Sequence, residues 1–178
     1  VVYLLDQSES IAAPDRQAMW DYAVETARED RDRRRGDLCG VIVFGGKPSI
    51  ESPPYPDDLP QRLRIEPASI QSSATNIHSA IQLAVAAMPE NSKRRIVLIT
   101  DGNQTSGDAR EAALSASQAG VGIDVVAVQT EAGTDVSVER LDLPSQVRAD
   151  QPFEGRIVLD CTTMSPAAQP RELASSAI

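Results

Sequence analysis

"VVYLLDQSES" (residues 1–10) runs five apolar residues into a carboxylate and two hydroxyls, Asp6, Ser8 and Ser10, at alternate positions. An unbroken apolar run of that length suits a parallel strand covered on both faces. The polar residues that end it then stand at the carboxyl end of a strand, where open parallel sheets hold their ligands. If the segment stays roughly extended, alternate side chains project to one side and the three oxygen-bearing groups converge.

Working outward, Pro14 suits the first turn of a helix, and Met19, Tyr22, Ala23, Thr26 and Ala27 recur at helical spacing. "REDRDRRRGD" (28–37) mixes both signs of charge and reads as a solvated helix end stopping at Gly36, not as a nucleic-acid patch. "LCGVIVFG" (38–45) and "PSIES" (48–52) read as strands, and "PPYPDDLP" (53–60) as a surface loop, because its prolines remove backbone donors. Ile77, Ala80, Ile81, Ala84, Val85 and Met88 mark a helix ending near Pro89, with Thr75 or Asn76 available as its cap. "RRIVLIT" (94–100) is a buried strand, "GDAREAALSASQAG" (107–120) a helix closed by Gly120, and "GIDVVAV" (122–128) a further strand.

Strands alternating with helices predict an α/β fold over residues 1–130: a doubly wound, Rossmann-like, mostly parallel sheet with helices on both faces. Past that point the period changes. "VSVERLDLPSQVRADQPFEGRIVLD" (136–160) has alternating residues and a proline turn without helical spacing. Residues 131–178 are therefore expected to be a short β-type C-terminal segment: a sheet-edge strand and linker, then the start of a truncated β module with a disordered tail.

The 178 residues allow one full domain and a small extra piece, and a hydrophobic share of 41% with 24% charged residues is that of a globular chain. No apolar run approaches the roughly 20 residues of a membrane-spanning helix, so no membrane insertion by this chain is expected. A formal charge of −9 disfavours nucleic acid and anionic lipid as main partners, since both need phosphate neutralisation. Cys39 and Cys161 belong to no CxxC pair and read as structural thiols, leaving the redox compartment open. The chain begins inside a strand and carries no signal-peptide features, so we expect it to be part of a longer protein.

Three separated segments leave strand ends or enter a helix with oxygen-bearing side chains: Asp6, Ser8 and Ser10 in the first, Thr75 in "SSATNIHSAI" (72–81), and Asp101 closing "RRIVLITDG" (94–102). Two carboxylates and three hydroxyls, with no His or Cys, make a hard oxygen set. It suits Mg²⁺, which prefers octahedral oxygen coordination at about 2.1 Å and retains some of its waters; Mn²⁺ or Ca²⁺ are alternatives, and zinc is a poorer match. Taken singly, each residue has an ordinary structural explanation as a turn or cap. Their joint occurrence points to a metal site.

"DQSES" matches D-x-S-x-S, Thr75 precedes a helix in "SATNI", and "LITDG" supplies a second aspartate. Together these motifs resemble the von Willebrand factor type A domain and its metal-ion-dependent adhesion site, over roughly residues 1–130. The resemblance implies Ser8, Ser10 and Thr75 as direct or switchable ligands, Asp6 and Asp101 acting mostly through bound water, and a partner protein completing the shell with an Asp or Glu. Glu9 departs from the family's usual glycine, as do Ser73 and Ala74 before the threonine. "RLDLPSQVRADQPFEGRIVL" (140–159) further resembles bacterial membrane-associated proteins in which such a domain precedes an immunoglobulin-like one.

The leading expectation is therefore a non-catalytic interaction module within a larger bacterial membrane-anchored protein. Two alternatives stay open. A haloacid-dehalogenase-like Mg²⁺-dependent phosphotransferase also ends a strand in Asp beside a metal, although it needs an acid–base Asp two residues further on, where this chain has Ser8. A structural domain with a decayed metal site is the other. A nucleotide site ranks behind both, because neither GxxxxGK[ST] nor GxGxxG follows the first strand.

Overall fold

The computed structural model describes residues 1–60, 62–64, 67–128, 135–142, 144 and 156–162. Five strands build the main sheet: β1 (Val2–Asp6), β2 (Cys39–Phe44), β3 (Pro48–Tyr55), β4 (Arg94–Thr100) and β5 (Val121–Ala127), in the order β3-β2-β1-β4-β5. All neighbours are parallel except β2 and β3, which pair antiparallel. The chain moves from β1 to β2 on one side and later returns to β4 on the other. This makes the gap above β1 and β4 the switch point of the sheet.

The helices are α1 (Ala13–Asp30), the single turn α2 (Pro67–Ile70), α3 (Ile77–Ala87) and α4 (Ala109–Gln118), and they cover both faces, as the alternation predicts. Val2, Leu4, Ile42, Phe44, Ile96 and Leu98 face α3 and α4, packing against Ile77, Ala80, Ile81, Ala112 and Ala116. Tyr3, Leu5, Val41, Val43 and Ile99 face α1, packing against Met19, Trp20, Ala23 and Ala27. Burial of each large side chain removes it from water and favours the fold by about 1.5–3 kcal/mol. The helical face of α1 is turned slightly from the predicted one: Trp20 is buried and Tyr22 exposed. That helix also ends at Asp30, ahead of a 3₁₀ turn at Arg33–Arg35, with Gly36 at φ +73°.

The proline-rich stretch departs from expectation. Pro53, Pro54 and Tyr55 belong to β3, not to a surface loop. β3 is an edge strand, so a missing donor need not break a ladder on both sides, and its pairing with β2 shifts register between Cys39 and Ile42. Gly40 lies opposite the irregularity, where a Cβ would sit 2.9 Å from the Pro54 nitrogen and 3.0 Å from the Ser52 oxygen. Only glycine lets the two backbones approach this closely.

The described residues up to 128 group as one compact unit and those from 135 onward as another. In the second, β6 (Asp135–Asp142) pairs antiparallel with β7 (Arg156–Thr162) as a separate two-stranded sheet. The expected sheet-edge strand is thus corrected: alternation identified β6 as a strand, but its partner is β7 and not the main sheet. The disordered tail expected at the C-terminus lies outside the described residues. Among the described residues, no helix is long and apolar enough to cross a membrane.

Candidate metal centre

The five residues singled out in the sequence lie in loops at the carboxyl edge of the main sheet or at its strand ends. Asp6 ends β1, Ser8 and Ser10 sit in the turn that follows, Thr75 stands two residues ahead of α3, and Asp101 follows β4. Parity places the Asp6 side chain on the same sheet face as Leu4, and Thr100 on the same face as Leu98. Thr100 Oγ1 donates to Asp6 Oδ2 at 2.7 Å, joining the two strands across the switch point.

The opening loop turns immediately and does not remain extended. The Ser8 amide donates to Asp6 Oδ1 at 2.9 Å, and the Ile11 amide donates to the Ser8 carbonyl at 3.2 Å. This turn, rather than strand alternation, brings the Ser8 and Ser10 hydroxyls to 2.9 Å of each other. Arg16 secures it from α1, donating through Nε to the Ile11 carbonyl at 2.8 Å and through Nη2 to the Ser8 carbonyl at 3.0 Å.

Glu9, the departure noted in the sequence, is tied to the loop that carries Thr75. Its amide donates to the Ser72 carbonyl at 2.8 Å, and the Ser72 hydroxyl donates to Glu9 Oε1 at 3.1 Å. On the far side, Thr75 is joined to the loop after β4 through Thr105 and Ser106. Asn76, not Thr75, is the cap of α3, accepting from the Ser79 amide at 2.9 Å. Direct hydrogen bonds thus link Asp6, Ser8 and Ser10 in one group. Thr75 connects to the Asp101 loop through its main chain.

Asp6 is 0% exposed, and Ser8 and Thr75 are each 2% exposed. Burial pushes the Asp6 carboxyl above its ordinary value; hydrogen bonds from Thr100 and Ser8 oppose that rise, and the nearby Asp101 carboxylate adds to it. The ion pairs found among the described residues involve other carboxylates. A buried carboxylate supported by neutral donors and facing a second one is costly unless a cation offsets it. Among the described residues no cluster of three or more His, Cys, Asp or Glu converges, so the donor set is one of hydroxyls and two carboxylates. Such a set fits a hard divalent cation.

Sequence reasoning missed Thr100, Arg16 and Thr105. Thr100 alone left a local signal, as a hydroxyl ending an otherwise apolar strand. His78, which the sequence suggests is solvent-facing, is only partly exposed, and its Nδ1 lies 2.8 Å from the Asp108 carbonyl at the cap of α4.

A family model for the von Willebrand factor type A domain matches residues 1–104, more than half of the chain. Among solved structures, an aerotolerance-related membrane protein from Bacteroides fragilis carrying multiple mutations to serines is 27% identical, with a TM-score of 0.62 over 90% of this chain and 80% of that one. The conserved hypothetical protein BatB from Bacteroides thetaiotaomicron is likewise 27% identical, with a TM-score of 0.62 over 90% of this chain and 78% of its own. Proximal thread matrix protein 1 from the mussel byssus, solved with a zinc-occupied MIDAS motif, shares the fold at 17% identity, with a TM-score of 0.52 over 71% of this chain and 37% of that one. No curated protein matches the chain.

Proposed function

Because the chain belongs to the von Willebrand factor type A family, whose domains are protein-interaction modules, we propose that residues 1–130 bind a divalent cation and use it to capture an acidic residue of a partner protein. One observation carries this reading: a wholly buried Asp6 carboxylate at the sheet's switch point, held by neutral donors beside a second carboxylate.

Asp6, Ser8, Ser10, Thr75 and Asp101 would hold the ion. Mg²⁺ is the first choice, with Mn²⁺ and Ca²⁺ as alternatives. When bound, it offers a Lewis-acidic position to a carboxylate oxygen. Asp6 and Asp101 contribute two negative charges that balance a divalent ion, while the hydroxyls add oxygen without further charge. Ser10 and Glu9 are exposed at the rim, where a partner's Asp or Glu would arrive. We read the role as non-catalytic, and a formal charge of −9 disfavours nucleic acid as the main partner.

We further assign the module to a bacterial membrane-anchored protein, with residues 131–178 as linker and the start of a β module of immunoglobulin-like kind. The Bacteroides fragilis neighbour, described as a membrane protein, supports the first part. The β6/β7 pairing supports the second. Calorimetric titration with Mg²⁺, Mn²⁺, Ca²⁺ and Zn²⁺ tests the metal site: saturable one-to-one binding by the native chain, abolished in an Asp6→Ala/Ser8→Ala double variant, is expected. Equal binding by the double variant would remove the basis of the reading. For partner capture, a tethered acidic peptide should be retained with Mg²⁺ and released by chelator.

A further inference from the structure

We propose that Thr105 is a positioning residue that locks Thr75 to the loop carrying Asp101, so that two members of the cation site move as one unit. The inference rests on the metal-binding reading given above.

Thr75 stands just ahead of the α3 cap, so the helix offers no partner to its N–H or its C=O. Thr105 supplies both. Its Oγ1 accepts from the Thr75 amide at 2.8 Å and donates to the Thr75 carbonyl at 3.2 Å, a dual role open to a hydroxyl but not to an amide N–H or a carbonyl oxygen alone. The same carbonyl also accepts from the Thr105 amide at 3.0 Å and the Ser106 amide at 3.2 Å. The clasp uses only the main chain of Thr75, and so leaves its buried hydroxyl to the site.

The residues that follow extend the contact. Gly107 has φ +81°, and a Cβ there would lie 2.7 Å from His78 Cβ and 2.8 Å from Asn76 Oδ1, so this loop presses directly on the start of α3. His78 then meets the Asp108 carbonyl at 2.8 Å. At the other end of the same loop, Asp101 is braced by Asn103, whose amide donates to Oδ1 and whose side chain donates to Oδ2, both at 3.0 Å. Asp101 and the clasp therefore belong to one short, internally bonded segment. A shift of Asp101 is transmitted to Thr75 without passing through the sheet.

Thr105 is itself exposed, so its replacement leaves the core untouched. The test compares the native chain with Thr105→Val, which keeps the shape and loses the hydroxyl, Thr105→Ser, which keeps the hydroxyl, and Asp6→Asn as a site control. Two measurements are made: Mg²⁺ affinity by calorimetry, and amide hydrogen exchange with and without Mg²⁺. We expect Thr105→Val to weaken Mg²⁺ binding about tenfold or more, as loss of an outer-shell support does, and to speed exchange at residues 75–79 in metal-free protein. Thr105→Ser should restore both. In the native chain, Mg²⁺ should slow exchange at 75–79 and 101–106 together. Native affinity in Thr105→Val, with binding lost in Asp6→Asn, overturns the clasp while leaving the metal site standing. Mg²⁺ protection confined to one of the two segments overturns it without use of any variant. No Mg²⁺ binding by the native chain defeats both the metal site and the role assigned to Thr105.

Discussion

Thr100 donates its hydroxyl to Asp6 across the junction of β4 and β1, and its own Oγ1 accepts from the Gly102 amide at 3.1 Å. One side chain thereby fixes the buried carboxylate and the first bend of the loop bearing Asp101. Thr100→Val removes both bonds and leaves a carboxylate oxygen buried without its donor. The expected loss is about 1–3 kcal/mol of stability, with Thr100→Ser recovering most of it. Urea unfolding of the two variants in chelator measures the difference.

Asp6→Asn separates the cost of the buried charge from its use. The folded-state pKa of Asp6 is raised above the ordinary 3.8, chiefly by burial. Its contribution to metal-free stability is thus fully present below the ordinary value and is lost as pH rises through the folded one. In chelator, the native chain should lose stability relative to Asp6→Asn over the pH range that begins at the ordinary carboxylate value of 3.8 and runs upward through the raised one. With Mg²⁺ the order reverses, because the ion needs the ionised carboxylate: saturation at about 100 times Kd adds about 2.7 kcal/mol to the native chain and nothing to the variant. Thermal melts across that pH range, with and without Mg²⁺, read both signs. Parallel curves for the two proteins would show that Asp6 is not the titrating ligand.

Glu9 brings a third carboxylate to the rim, held in place by Ser72. At an exposed rim, partly screened by water, one charge alters the binding of a divalent ion by about 0.5–1 kcal/mol. Glu9→Gln should therefore weaken Mg²⁺ binding about two- to fivefold at low salt, with the difference closing at about 1 M ionic strength. Ser72→Ala keeps the charge and should stay close to the native affinity. Calorimetry at two salt concentrations distinguishes a charge effect from a loop effect.

Gly40→Ala places a methyl group against the backbone of Ser52 and Pro54, both on the opposing strand. Backbone cannot move aside as a flexible side chain can, so the register shift in β3 must change. The expected cost is about 1–3 kcal/mol, seen in thermal unfolding, with Mg²⁺ affinity retained because the site lies at other strand ends.

The main sheet was legible in the sequence because its central strands are covered twice: "VVYLL", "GVIVF" and "IVLI" have no polar face to hide them. Asp6 and Asp101 stood out as candidates for a related reason, since each follows an apolar run, whereas Thr75 showed only as a hydroxyl ahead of a helix. What holds the candidates together was not legible. Ser72 reaches Glu9 over 63 residues and Thr105 reaches Thr75 over 30, and such pairings leave no period in the chain. The extended shape assumed for "DQSES" also failed, because an Asx-type bond to the Ser8 amide competes locally with the strand. Pro53 and Pro54 were misjudged from the donors they lack, although an edge strand requires donors on one side only.

The prolines of β3 bear on how this chain meets copies of itself. Pro48, Pro53 and Pro54 deprive that border of the sheet of the amides an incoming strand would need. Among the described residues β5 forms the opposite border; it contains no proline and exposes Val125 at 60%. Strand-swapped oligomers and fibrils, if the isolated chain forms them when concentrated or partly unfolded, should nucleate along β5, and a lysine introduced there should keep the protein in solution.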